Sequence, residues 1–149
     1  MSQSPLYESD FYAWANEQAT LLREGKLGDA DIEHIAQEIE SMGKTEKREL
    51  LDRLTVLMLH LLKWRFQPIK RTPSGEVSIK VQRNGLVDHL EDNPSLKPLI
   101  GTAMVKTYRD AVPRAMLETG LSEAAFPKAC PWSFEQMMDP DFWPEEQDH

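Results

Sequence analysis

The stretch LTVLMLHLLKW, residues 54–64, lies inside a longer segment, 46–66, that constrains the architecture more than any other. Leu50, Leu51, Leu54, Leu57, Met58, Leu61 and Leu62 recur at helical spacing and cover one broad side. Val56, Leu59 and Trp64 fall elsewhere on the circumference, so this helix is apolar most of the way round. A helix of that kind is central and covered from several sides. His60 and Lys63 interrupt the run, which is far shorter than the roughly 20 apolar residues a bilayer demands. Gln67–Pro68 ends it, because proline disfavours a helical residue before it.

The rest of the chain is punctuated for helices. Ser9 or Asp10 is a cap for a helix to about Glu24, with Gly25 just beyond its end. Phe11, Trp14, Ala15, Leu21 and Leu22 give that helix an apolar side. Asp29 is the expected cap of the next segment, in which Ile32, Ile35, Ala36, Ile39 and Met42 repeat at three and four. Gly43 either ends that helix or sits inside one long helix at a cost of about 1 kcal/mol. QPIKRTPSGE, 67–76, reads as a mobile loop. Ser74 then caps a helix to about Asp92 with Ile79, Leu86, Val87 and Leu90 inward; a strand over 77–81 competes but would lack a partner. Asn93–Pro94 stops that element, and a further helix carries the period to Gly120, with Pro113 expected to kink it. The segment 121–149 is irregular apart from a short helix after Ser133. Its aromatics predict that it wraps along the bundle.

A hydrophobic fraction of 40% with 28% charged residues fits a globular chain, and 149 residues suffice for one core. The net charge of −8 repels nucleic acid and anionic membrane unless a local basic patch intervenes. The one cysteine, Cys130, excludes an internal disulfide and suits a reducing cytoplasm. Free cysteines are among the most buried residues, so it reads as a small buried apolar residue rather than a nucleophile. No basic start followed by an apolar run marks a signal peptide at the N-terminus.

The blocks YESDFYAWANEQATLLREG (7–25), HIAQEIESMGKTEKREL (34–50), HLLKW (60–64) and CPW (130–132) together resemble the bacterial family called "domain of unknown function 29". The resemblance implies an all-helical single domain and carries no activity with it. The family's segment after HLLKW often holds a tryptophan; RTPSGEVS here has none.

Two sets of residues are candidate sites. The first is His34, Glu38 and His60. His34 and Glu38 stand four apart, the spacing from which helical bundles build metal and acid–base sites. At 100° per residue, however, His34 lies roughly 135° from the centre of the apolar stripe, which predicts a solvated imidazole. With one continuous helix, His60 lies about 33 Å from Glu38. A turn at Gly43 would instead place Glu38 opposite Arg48. Either way these residues meet only across subunits. His60 alone, between Leu59 and Leu61, reads as a hydrogen-bonded core histidine, and His89 as part of a charged face.

The second set is basic: Lys63, Arg65, Lys70, Arg71, Lys80 and Arg83, opposed within 63–83 by Glu76 alone. That segment is +5 and the remainder −13. It suits docking on the protein's own acidic surface or on that of a second subunit, ahead of another acidic partner or nucleic acid, since too few aromatics interleave the charges for a single-strand platform. No Gly-rich phosphate loop or serine elbow occurs, so no cofactor is expected. The sequence therefore predicts an all-α, single-domain bundle of four to five main helices. Its expected role is a non-enzymatic cytoplasmic interaction module, a homodimer or a binder of another protein. A metal-binding or hydrolytic bundle and a nucleic-acid binder are the alternatives, and no membrane association is expected.

Overall fold

A computed structural model describes residues 4–145. Its elements are α1 (Leu6–Ser9), α2 (Phe11–Arg23), α3 (Ile32–Phe66), α4 (Pro73–Asp92), α5 (Ile100–Thr119) and α6 (Phe134–Met138), with short 3-10 turns between them. No strand occurs among the described residues, so 77–81 is helical as expected. No described helix is long and apolar enough to cross a membrane. The last four residues of the expected wrapping segment, His149 among them, lie outside the described residues.

Internal contacts divide the chain into two units, Met1–Glu46 and Lys47–His149, and α3 runs from the first into the second. Gly43 lies inside this 35-residue helix, so there is no hairpin at that point. The helix begins two residues later than Asp29 predicted. Asp29 sits in a 3-10 turn, and Asp31 accepts the His34 backbone N–H in the capping role. At α2 the cap is Asp10, which accepts from the Ala13 N–H, and Gly25 takes the left-handed conformation after the helix end.

The second unit is built on the C-terminal half of α3. Leu50, Leu54, Leu57, Met58, Leu61 and Leu62 are wholly buried in one cluster with Ile79 and Leu86 of α4, Ala111 and Ala115 of α5, and Met137 of α6. Phe126 and Trp132 join it, so the described part of the C-terminal segment packs on the helices. Thr72 rather than Ser74 caps α4, its hydroxyl accepting from the Gly75 N–H. Within 67–76, residues Pro68–Lys70 form a 3-10 turn and Pro73 already opens α4. Val87 is exposed, not inward as its spacing suggested. Pro113 lies within α5.

Gly85 has a steric reason. A Cβ there would overlap the Arg53 guanidinium, which lies against α4 and donates to Glu49 (3.0 Å) and Gln82 (3.2 Å). Gly85→Ala should displace that guanidinium. The helix gains about 1 kcal/mol from alanine, and a lost hydrogen bond takes back a similar amount, about 1 kcal/mol. Chemical denaturation should therefore change by less than about 1 kcal/mol, while the Arg53 Nε–H resonance moves. A loss several times larger would mean that Arg53 has nowhere to go.

Candidate functional sites

His34 and Glu38 do come together in the first unit, with partners that spacing could not supply. Asp31 is 1% exposed and is the hub. Its Oδ2 accepts from the Ser4 N–H (3.0 Å), from Trp14 Nε1–H (3.0 Å) and faces His34 Nδ1 at 2.8 Å. Its own N–H donates to Gln18 Oε1 at 2.7 Å. Desolvation raises the Asp31 carboxyl, but the bonds from His34, Ser4 and Trp14 outweigh it and bring it down to about 2. Tyr7 stacks on the His34 ring with centroids 3.7 Å apart and donates its hydroxyl to Glu38. That bond, with desolvation and the Glu38 charge, pushes the Tyr7 phenol up to about 12.

The expected solvated His34 is thus a correction, since its side chain is only 16% exposed. The helical phase was right, and the assumption that the apolar stripe faces inward was wrong. Tyr7, Trp14 and Gln18 cover the polar side of α3 because Asp31, His34 and Glu38 offer matched hydrogen-bond partners there. The opposite side is open: Ile32 is 49%, Ile39 61% and Met42 65% exposed.

The cluster resembles an acid–base dyad, a carboxylate orienting an imidazole. Its groups are nevertheless committed to one another: Asp31 caps the helix, the His34 ring is covered by Tyr7, and Glu38 holds the Tyr7 hydroxyl. Such an arrangement fixes α1 and α2 on the start of α3.

In the second unit His60, Lys63, Lys70 and Arg71 converge on a pocket of about 420 Å³ between the end of α3 and the start of α4. His60 is partly exposed there, not a core residue. Burial, reinforced by the Lys63 ammonium and opposed by Glu118, lowers its pKa from the usual histidine value. Lys63 pairs with Glu118 at 3.0 Å. Arg71 lies over the Trp64 ring, donates to the Trp64 carbonyl (2.8 Å) and reaches Pro144 and Glu145.

The other basic candidates diverge. Arg65 lies over Phe66, and Lys80 pairs with Glu76 one turn away. Arg83 is buried, donating to the carbonyls of Met137 (2.7 Å) and Phe142 (2.6 Å) beneath Trp143. His89, expected on a charged face, is buried with Nδ1 3.3 Å from Glu49. The Arg53 hydrogen bond, against desolvation and with help from His89, lowers the Glu49 carboxyl. Cys130 is partly buried and burial raises its thiol, in keeping with a packing role.

Sequence reasoning missed a groove of about 2140 Å³ along α5. Ile100, Met104, Tyr108, Met116, Phe126 and Trp132 are among the residues that line it. Ile100, Met104, Tyr108 and Met116 carry the helical period of α5, which by itself reads as core, and Phe126 and Trp132 belong to the wrapping segment.

A family model described as "Domain of unknown function DUF29" matches residues 6–143. No curated protein and no solved structure matches the chain.

Proposed function

We propose that this chain, which belongs to the DUF29 family, is a non-enzymatic helical interaction module of the cytoplasm that pairs with a second copy of itself through α3. The exposed stripe Ile32, Ile39 and Met42 carries this reading. These three large apolar side chains share one face of α3 and are exposed together, and a contiguous apolar face of this kind marks an interaction surface.

A second copy is favoured by the charges beside the stripe. Glu33 and Glu40 are exposed within the span of the stripe, while Lys44, Lys47 and Arg48 are exposed beyond its C-terminal end. An antiparallel pair of α3 helices crossing near Glu40 sets Glu33 against Lys47 and buries Ile39 near the two-fold axis. The committed state of His34 and Glu38 supports a binding role over a hydrolytic one.

Light scattering at micromolar concentration should give twice the chain mass of 17.1 kDa. The double variant Ile39→Glu/Met42→Glu should reduce it to the monomer with helical circular dichroism unchanged, because both side chains face solvent in the isolated chain. A wild-type monomer at that concentration sinks the proposal.

A further inference from the structure

Independently of pairing, we propose that the pocket between the end of α3 and the start of α4 binds a phosphate-bearing small molecule, held by Lys70, Ser74 and the first turn of α4. Its volume of about 420 Å³ accommodates the oxyanion and an attached organic group. Three cations line it, Lys63, Lys70 and Arg71, against the single acid Glu118.

The donors differ in how free they are. Glu118 already holds Lys63, and Glu145 and backbone carbonyls hold Arg71, so these two set the potential. Lys70 extends from the exposed 3-10 turn Pro68–Lys70 and is the cation able to close on a ligand. Pro73 has no N–H, and Thr72 takes the Gly75 N–H. The Ser74 N–H and hydroxyl are left at the positive end of a 20-residue helix.

Trp64 lines the same pocket, so its indole resonance reports on occupancy. Two lysines, an arginine and a helix start all present donors to one concave space, so the arrangement selects an anion. Its concavity selects a compact one.

The test is an amide and indole NMR titration of the full chain with inorganic phosphate, against sodium chloride at equal ionic strength. Saturable shifts of the Ser74 and Gly75 amides and the Trp64 indole are expected. Phenyl phosphate should bind more tightly than the free ion because the pocket exceeds the oxyanion. Lys70→Glu, at an exposed position, should weaken binding at least tenfold, and Lys106→Glu on α5 should not change it. Absence of saturable shifts at these three groups overturns the proposal. So does a single-stranded oligonucleotide that binds more tightly than phenyl phosphate and shifts Arg65 and Lys80 as much as Ser74, because the ligand would then be nucleic acid on an open face.

Discussion

Asp31→Ala should destabilise the first unit by about 3 to 5 kcal/mol, the range for breaking one side of a buried ionic network. The carboxylate is almost wholly buried and serves the Ser4 N–H, the Trp14 indole and His34 at once. Alanine removes the acceptor those three groups share. Asp31→Asn keeps the shape but turns an N–H₂ towards a donor, so a smaller loss of about 2 kcal/mol is expected. Hydrogen exchange of residues 4–31, read beside thermal melting, should show protection lost in α1, α2 and the start of α3. Unchanged exchange there would mean that apolar contacts alone hold this unit.

The same carboxylate sets an acid limit. Its folded pKa of about 2 lies below the unfolded value of about 3.9, so its contribution is complete above pH 4. It is lost as pH falls through about 2. Glu49 shifts in the same direction, so the second unit also loses stability towards acid. Stability that instead rose between pH 4 and pH 2 would contradict both assignments.

The central helix was legible because residues apolar on every side have only one favourable place. Leu54, Leu57, Leu61 and Leu62 are wholly buried as that reasoning required. Gly43 was not legible. Its penalty of about 1 kcal/mol is small beside the packing energy of a 35-residue helix, so composition leaves both outcomes open. The first half of α3 shows a different limit. Period 3.6 finds the two faces of a helix but does not say which one a neighbour covers. Tyr7 reaches Glu38 across 31 positions of sequence and reverses the usual choice.

The basic segment shows a related limit. Lys70 and Arg71 are adjacent in the chain, yet one stays exposed while the other folds back on Trp64. Charges counted along a sequence are not charges on one surface. His89 was misread for the same reason: its partner Glu49 belongs to another helix.

Arg83→Ala should cost the second unit about 4 kcal/mol and loosen the chain after α5. Arg83 is 4% exposed and spans from α4 to two carbonyls, Met137 at the end of α6 and Phe142 beyond it. Charge-assisted bonds of this type contribute about 1.5 to 3 kcal/mol each. Opposing them, burial lowers the guanidinium pKa, Asp139 only partly compensates, and Nη1 is buried without a partner. Arg83→Met separates these effects. It keeps most of the volume beneath Trp143, removes the desolvated charge, and leaves the two carbonyls without donors. A loss of about 2 kcal/mol is expected, half that of alanine. Arg83→Lys should fall between them, because one ammonium on a flexible stem does not reproduce the fork that reaches both carbonyls. Urea unfolding followed by tryptophan emission measures the stabilities, and limited proteolysis after Gly120 reports the release of the segment. If methionine matches the wild type in both readouts, desolvation cancels the bonds, and the buried aromatics Phe126 and Trp132 hold the segment without help from Arg83.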